Sequence, residues 1–528
     1  MNVVSRSAIA QGACNETCNA SVRGRMKSPD PLRPHPLARP AAVALSGVLV
    51  ALAATGVGDA PLLAWLAFAP WLASLRGLRT GAASMSGMAM GLAYIVPGHW
   101  HTFAAAVGTA GYDGWRQAAL TLAFFLSYAV PFAVFAALDA VWCNGRDGAQ
   151  APPLLRAGVL ASLICVTWSP FPYTPVVMVV DATAMLQLGA FGGEPLLLWL
   201  LFWPSAELAA LVHSPHSWPR RWIGLMPVVV VLLLAAGVGT WRLRALDRAE
   251  LAGSGVRLSA LPLQLDLPQF VSPAMLIRDR SGGSRSALEM SRAALARAPQ
   301  CEVVIWPETP LPSEHSERVC ALASRFARSL GRPLLMQCFR HDAGQLLLTA
   351  EWLAPAAEAQ WHGKSSLVPL YEQPLFGAGR VTPGRPGTVF ALDHTRRLIP
   401  ALCYELHSRA HLRRAVLDGG NVIVHMASFT PFSRHPIDLW DMAMSRLRAV
   451  EFGLPIVRAA NRAPAGWIDA AGRVRDISGR FGSGATCVDV WSPTGPPTVF
   501  ARISPFAAWL PGLAALALTR RRAAAPPS

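Results

Sequence analysis

The sequence Pro400-Ala-Leu-Cys403-Tyr-Glu-Leu406 ends an apolar run that begins at Arg397. Such a run is typical of a buried strand, and the Cys403 thiol would then lie at the strand's end with a charge beside it. A buried cysteine is more often inert packing than a nucleophile. The interpretation of Cys403 therefore depends on what the rest of the chain places near it.

Two other stretches each carry one ionisable residue at the edge of a strand-like segment. They are Val303-Val-Ile-Trp-Pro-Glu308 and His362-Gly-Lys364-Ser-Ser-Leu-Val-Pro369. A carboxylate that takes the thiol proton and an ammonium that stabilises developing negative charge would make Cys403 a nucleophile. Taken singly, Glu308 would more often be a surface carboxylate and Lys364 a solvated loop lysine. The order acid, amine and thiol favours a catalytic site over these separate readings.

The composition indicates that much of the chain lies in lipid. Of 528 residues, 52% are hydrophobic and 15% are charged, and the mean hydropathy is +0.34. A soluble domain averages about a quarter charged residues. The net charge of +16 comes from arginines scattered through loops, so we expect no nucleic-acid partner. The nine cysteines show neither a CxxC pair nor the ligand spacing of a metal site, and we expect no metal and no cofactor.

Seven long apolar runs follow a polar N-terminal tail at residues 1–39. Each run is close to the roughly 20 residues that a helix needs to cross a bilayer. A soluble core of buried helices is disfavoured because so many runs follow one another closely. The predicted spans are residues 40–57, 60–75, 83–107, 116–142, 155–175, 184–212 and 222–241, which together form a membrane domain at 40–241.

Arginines at the ends of these runs predict the orientation. Loops at 58–59, 108–115 and 176–183 hold no lysine or arginine, and they alternate with basic loops, which stay in the cytoplasm. With the N-terminus inside and seven crossings, the chain after Trp241 would begin on the outer side. Arg116 opposes this assignment, but the sum of the basic residues favours it.

Between residues 249 and 503 short β-like runs alternate with helical patterns, which predicts an α/β domain. The predicted strands are 256–263, 302–306, 333–338, 346–353, 397–402, 422–425 and 456–460, and the predicted helices are 286–297, 314–330, 411–418 and 439–452. An apolar stretch at 504–519 predicts a last membrane helix before a cytoplasmic tail at 520–528. The expected fold class is a multi-pass α-helical membrane protein of about eight helices with this α/β domain inserted before the last.

Three motifs in chain order resemble those of the nitrilase, or carbon-nitrogen hydrolase, superfamily. Trp306-Pro-Glu308-Thr is similar to its glutamate motif, and Lys364-Ser-Ser-Leu-Val-Pro-Leu-Tyr-Glu372 to its lysine motif. Cys403-Tyr404-Glu405 is similar to its nucleophile motif. The surrounding spans, with the glycine-rich Gly87-Met-Ala-Met-Gly91-Leu-Ala-Tyr94, resemble the apolipoprotein N-acyltransferase family.

The resemblance implies a nitrilase-like α-β-β-α sandwich with Glu308, Lys364 and Cys403 as catalytic residues. It implies supporting or substrate-binding roles for Glu372, Tyr404, Glu405 and Gln264. Tyr404 and Glu405 would shape the surroundings of the nucleophile, and Glu372 would orient the lysine or an incoming amine.

The resemblance also implies a two-step acyl transfer. Cys403 would take an acyl chain from a phospholipid as a thioester and pass it to the N-terminal amine of a diacylglyceryl-cysteine lipoprotein. The implied location is the bacterial inner membrane, with the catalytic domain on the periplasmic side. Five cysteines fall in this domain, and a disulfide among the four other than Cys403 suits an oxidising compartment, although spacing does not pair them.

One departure from the family leaves alternatives open. Ser428-Phe-Thr-Pro-Phe432 stands where the family has a segment like Asn-Asp-Ala-Trp-Phe, beside the acyl pocket. One alternative is a nitrilase-like membrane protein of a conjugal transfer system that acts on another amine. The other is an amidase, in which water replaces the amine.

Overall fold

The structure, a computed structural model, describes most of the chain from residue 37 onward. The described residues are 37–54, 61–144, 151–214, 218–267, 286–308, 320, 322, 325–373, 381–432, 437–479 and 482–524. The predicted tail at 1–39 therefore lies almost wholly outside them, as does most of the helix predicted at 314–330, of which 325–330 are helical.

Helices make up the first part of the chain. They are α1 Ala38–Ala54, α2 Pro61–Leu66, α3 Ala69–Ser74, α4 Thr80–Thr109, α5 Gly114–Asn144, α6 Pro153–Val166, α7 Thr183–Leu186, α8 Gly189–Val212 and α9 Trp218–Leu251. Helices α10 to α12 belong to the α/β part and are described with it below. Two more helices follow the sheet toward the C-terminus, α13 Val499–Ala507 and α14 Leu510–Ala524. We refer to the described residues between 38 and 251 as the helical part. The apolar side chains of α1 to α8 form one continuous core within it.

Three of the described helices are long and apolar enough to cross a membrane. They are Gly114–Cys143, Gly189–Val212 and Ile223–Leu251. The pair α13 and α14 would add a fourth span if it is counted as one, although it is bent by 80°. A multi-pass architecture fits these helices, but the expected number of about eight is not confirmed.

Three predicted spans differ from the helices that the structure shows. The span at 155–175 ends as helix at Val166, because Pro170 and Pro172 cannot continue it, and a short 3-10 helix follows at Pro175–Val179. The span at 60–75 is broken into α2 and α3. The span at 504–519 spreads over α13 and α14, with Pro511 in the first turn of the second helix, where a missing N–H is tolerated.

Glycines let α4 and α5 approach each other closely. A Cβ atom on Gly87 would lie 2.3 Å from the carbonyl oxygen of Phe132, and one on Gly91 would lie 2.5 Å from the Cα of Ala129. Glycines four residues apart lie on one face of a helix, so this face meets the partner backbone directly. The glycine-rich stretch is therefore a packing device of the helical part.

The α/β part holds a 13-stranded sheet whose main order is β5-β4-β3-β2-β1-β9-β8-β7-β6. Its strands are β1 Val256–Leu265, β2 Val303–Ile305, β3 Leu334–Asp342, β4 Gln345–Leu353, β5 Gln360–Gly363, β6 Phe390–Ala391, β7 Arg397–Leu402, β8 Val422–Ser428, β9 Ile456–Asn461, β10 Gly466–Ile468, β11 Val474–Arg475, β12 Gly484–Ala485 and β13 Val488–Ser492. Its helices are α10 Ala287–Arg297, α11 Arg409–Leu417 and α12 Ile437–Phe452. All seven predicted strands overlap observed ones.

Side-chain alternation divides this part into layers. Strands β5 to β2 on one side of β1 and strands β9 to β6 on the other form the two halves of the sheet. Ile305 of β2 and Val424 of β8 lie in one core between these halves. Val304, which points the other way, packs with residues of α10. Ile423 packs with residues of α11 and α13. Period-two alternation thus gives each half of the sheet one face toward the shared core and one toward helices.

The helical part and the sheet part are held together by direct contacts. The Tyr404 hydroxyl donates to the carbonyl of Pro170 at 2.8 Å, and Arg473 pairs with Asp247 of α9 at 2.6 Å. Buried Glu194 in α8 pairs with Arg409 of α11, and its backbone N–H donates to the Glu451 carboxylate at 2.7 Å. These contacts fix the sheet domain against the helices.

We expect Gly87→Ala to destabilise the protein, because the new methyl group would overlap the backbone of α5. Overpacking of this kind typically costs about 1–3 kcal/mol. Thermal unfolding in detergent measures the change. The control is Gly98→Ala in the same helix, where a Cβ meets nothing within 4 Å. Equal unfolding temperatures for the two variants would contradict this packing.

Candidate active site

Cys403 lies in a strained turn directly after β7. Its φ of 47° falls in the left-handed region, which non-glycine residues rarely occupy. Such a conformation costs on the order of 1–3 kcal/mol and persists only when neighbouring groups enforce it. Here a buried histidine donates to the backbone carbonyl of Cys403, with 3.1 Å between His425 Nε2 and the oxygen. The turn presents the thiol at the carboxyl edge of the sheet.

Glu405 braces the turn against the loop that carries Lys364. Its Oε1 accepts hydrogen bonds from the backbone N–H and the hydroxyl of Ser365, both at 2.6 Å. Its carboxylate also accepts from His362 Nε2 at 3.0 Å and from the backbone N–H of Leu402 at 3.2 Å. Burial alone would raise the pKa of Glu405, but the neighbouring histidines His411 and His362 and these hydrogen bonds hold it well below its usual range.

Lys364 is fully buried between two carboxylates. Its Nζ lies 2.6 Å from Glu372 Oε1 and 3.3 Å from Glu308 Oε1. Burial by itself would lower the pKa of Lys364, but Glu308 and Glu372 outweigh it and raise the pKa, so the side chain stays an ammonium. Its backbone is fixed on both sides, by its N–H to Leu348 and by its carbonyl, which accepts from Gly384.

Glu372 reaches the lysine from a tight turn. Its second oxygen accepts from the backbone N–H of Val368 at 2.7 Å, and Leu370 in the same turn has a φ of 66°. Burial raises the pKa of Glu372, Lys364 lowers it and Glu308 raises it again, with a net upward shift. Glu308 is the more exposed carboxylate, with 13% of its side chain accessible. The structure therefore gives the two carboxylates different surroundings.

The Cys403 thiol is partly buried and lies in the field of these three charges. Burial raises the pKa of the thiol, Glu308 and Glu372 raise it further, and Lys364 and a backbone hydrogen bond from Ser428 lower it. The net shift is upward, chiefly because the thiol is buried and also because two carboxylates face one ammonium. The resting thiol is thus protonated, and a carboxylate is present that can accept its proton.

The other predicted residues, Tyr404 and Gln264, contact groups outside this cluster. Tyr404 packs on Phe171 of the helical part, with 5.9 Å between the ring centroids. Gln264 in β1 donates to the carbonyl of Gly479 at 2.7 Å, which is a contact within the domain. A supporting role for Gln264 stays a prediction.

Aromatic side chains of the helical part stand next to the nucleophile turn. Cys403 and Tyr404 pack against the same apolar core as Phe103, Phe171 and Tyr173. The loop that departs from the family sequence contributes Phe429 and Phe432 to it. The thiol therefore lies where the polar end of the sheet meets an apolar surface.

Two buried histidines beside Glu405 raise the question of a metal. His362, Glu405 and His411 could approach one ion, but their ligand atoms are already engaged. His411 Nε2 donates to the carbonyl of Pro400 at 2.7 Å, while its Nδ1 accepts from the N–H of Gly387 at 3.1 Å. Burial lowers the pKa of His411, in keeping with this neutral tautomer. Hydrogen bonds within the protein thus engage the polar side-chain atoms of His362, Glu405 and His411.

Two histidines that support the site, His362 and His425, were not predicted from the sequence. His362 stands two residues before Lys364, so strand alternation could have placed both side chains on one face. His425 carried no comparable signal, because its partners come from other segments of the chain.

We expect Glu405→Gln to destabilise the protein by about 1–3 kcal/mol, since an amide cannot accept all the hydrogen bonds that the carboxylate accepts. Because the pKa of Glu405 is lowered in the folded state, its contribution is present above about pH 4.3 and is lost as the pH falls further. Thermal unfolding between pH 7 and pH 3.5 measures both effects.

The matched control is Asp393→Asn, which alters a more exposed ion pair with Arg396 and should cost under about 1 kcal/mol. A Glu405→Gln variant that is as stable as this control at pH 7 would contradict the bracing role.

Comparison with known proteins agrees with the motifs. The carbon-nitrogen hydrolase family matches residues 268–487. An apolipoprotein N-acyltransferase of Geobacter metallireducens is 26% identical over 83% of this chain and 86% of its own length, and that of Bradyrhizobium diazoefficiens is 25% identical over 88% and 90%. A solved amidase from Nesterenkonia sp. is 18% identical with a TM-score of 0.36, covering 47% of this chain and 93% of the amidase. The family match and the acyltransferase relatives confirm the resemblance: residues 268–487 match the carbon-nitrogen hydrolase family, and the chain is related over most of its length to the apolipoprotein N-acyltransferases.

Proposed function

We propose that this protein is an N-acyltransferase that moves an acyl chain from a phospholipid, through a thioester on Cys403, to the N-terminal amine of a diacylglyceryl-cysteine lipoprotein. The observation that carries the proposal is the joint position of Lys364, Glu308 and the strained Cys403 turn beside an apolar wall. The relatives named apolipoprotein N-acyltransferase support the substrate class.

In the first half-reaction the Cys403 sulfur attacks the ester carbonyl of the donor while Glu308 takes the thiol proton. The carbon–sulfur bond forms, the ester carbon–oxygen bond breaks, and Glu308 returns the proton to the leaving lysophospholipid. The Lys364 ammonium offsets the negative charge that develops on the tetrahedral oxygen. Glu372 holds the ammonium in place, because it is the nearer of the two carboxylates.

In the second half-reaction the acceptor amine attacks the thioester. The carbon–nitrogen bond of the amide forms and the carbon–sulfur bond breaks. Glu308 takes a proton from the amine and passes it to the departing thiolate, which restores the resting thiol. A single carboxylate thus serves as base and then as acid in each half-reaction.

We further propose that the catalytic domain, residues 249–503, lies on the outer side of a bacterial inner membrane. Two disulfides support this orientation, Cys301–Cys487 and Cys320–Cys338, each with 6.0 Å between Cα atoms. Disulfides persist in oxidising compartments and are rare in the cytosol. One cysteine of each disulfide lies close to Glu308 in the sequence: Cys301 comes before it, just ahead of β2, and Cys320 comes after it.

Incubation of the purified protein with phospholipid vesicles should add the mass of one acyl chain to the peptide that contains Cys403. We expect Cys403→Ala to abolish the shift and Cys165→Ala, which removes another free cysteine, to leave it unchanged. Addition of a diacylglyceryl-cysteine peptide should then discharge the thioester and yield an acylated peptide.

Complementation of a strain depleted of its lipoprotein acyltransferase tests the same function in cells. Growth with Cys403 intact and none with Cys403→Ala is the expected result. A thioester that only water discharges would indicate an amidase, and failure to complement together with a conjugation defect on deletion would indicate the transfer-system alternative.

The disulfides predict a labelling pattern. In protein denatured without reductant, a maleimide should modify Cys403, Cys143 and Cys165 but none of the four paired cysteines. After reduction all of them should react. Modification of Cys301 and Cys338 without reductant, in protein taken from intact cells, would contradict an oxidising location.

A further inference from the structure

A polar group lies on a face of the sheet that is otherwise apolar. His425 of β8 and Arg458 of β9 are direct partners in the parallel register. Both side chains are fully buried and lie under α12, where Asp441 and Ser445 meet them. Their neighbours on the same face, Ile423 and Ile456, belong to an apolar core. A buried polar cluster at such a position needs a specific reason.

The partners of His425 determine its tautomer. Arg458 Nη1 can only donate, so His425 Nδ1 accepts from it at 3.0 Å. His425 Nε2 faces the carbonyl oxygen of Cys403 at 3.1 Å and must therefore donate to it. Burial lowers the pKa of His425 to about 3, so the ring stays neutral with the proton on Nε2.

Arg458 is itself held from the far side. Its Nη1 also lies 2.6 Å from Asp441 Oδ2 and 2.8 Å from Ser445 Oγ, both on α12, so its two N–H groups are shared among these acceptors and His425. The chain of contacts runs from α12 through Arg458 and His425 to the backbone of the nucleophile. It ends at Cys403, whose φ of 47° requires external support.

We propose that His425 is a positioning residue that holds the Cys403 turn in the conformation from which the thiol attacks. His425 touches neither the thiol nor the acyl group and acts only through the backbone carbonyl of Cys403. Loss of this hydrogen bond lets the turn relax and moves the sulfur away from Lys364. The inference rests on the proposed function in that Cys403 is taken to be the acylated residue.

A pair of polar substitutions separates positioning from general stability. In His425→Gln the amide nitrogen reaches about as far as Nε2 and can still donate to the Cys403 carbonyl. In His425→Asn the shorter side chain reaches only about as far as Nδ1 and leaves that carbonyl unbound. Both variants keep a polar group opposite Arg458, and unfolding temperatures of the two show whether they fold alike.

The control variant is Ser492→Ala, which removes a buried hydroxyl that donates to the carbonyl of Asn421 at 2.6 Å, outside this chain of contacts. The readout is the burst of nitrophenolate on acylation by p-nitrophenyl octanoate, an activated ester that does not depend on phospholipid recognition. A parallel arm follows the thioester with phospholipid vesicles.

We expect His425→Asn to lower the rate constant of acylation at saturating ester by at least about tenfold, with the half-saturating ester concentration unchanged, because the sulfur is misplaced. His425→Gln and Ser492→Ala should stay within about threefold of the unmodified protein. Equal burst rates for the Asn and Gln variants would overturn the positioning role, and so would a fall that follows only the unfolding temperature. Failure of the vesicle arm in the unmodified protein, with a normal ester burst, would count against the phospholipid donor and not against His425.

Discussion

The site depends on one buried ammonium that lies between two carboxylates. Lys364 is fully buried, and Glu372 at 2.6 Å and Glu308 at 3.3 Å make its burial tolerable. A buried charge without partners would be strongly unfavourable, so the two carboxylates and the lysine must assemble together. The turn at Leu370, the edge of β5 and the Glu405 brace are the local features that bring them together. Burial and the two carboxylates then keep the Cys403 thiol protonated until a substrate engages.

The reactive group lies directly against the helical part of the chain. Tyr404, the residue after the nucleophile, is bonded to the Pro170 carbonyl, and buried Glu194 of α8 meets Arg409 just beyond the nucleophile turn. The polar cluster thus lies beside aromatic side chains of the helical part, among them Phe103 of α4 and Phe171. This junction is the physical basis for an acyl-lipid substrate in our proposal.

Much of the sheet could be predicted from the sequence because its central strands are apolar runs with sharp ends. Arg397–Leu402 agrees with the structure at both ends, since the change at Cys403 is abrupt. The four-residue strand Gln360–Gly363 was not predicted, because its sequence carries no strand pattern and only pairing with β4 defines it. The span at 155–175 was wrong in its second half, where proline outweighed hydrophobicity. The partners of His425 were beyond prediction, since Arg458 lies 33 residues away in the chain.

The charge state of the resting Cys403 thiol is the most direct test of the proposed arrangement of Lys364, Glu308 and Glu372 around it. It is measured as the rate of Cys403 alkylation by iodoacetamide against pH, in the unmodified protein and in Lys364→Met and Glu372→Gln variants. The account predicts an apparent thiol pKa above the ordinary value of about 8.5. It also predicts that Lys364→Met raises this pKa and Glu372→Gln lowers it. A thiol already ionised at pH 7, or a pKa that neither substitution moves, would contradict the account.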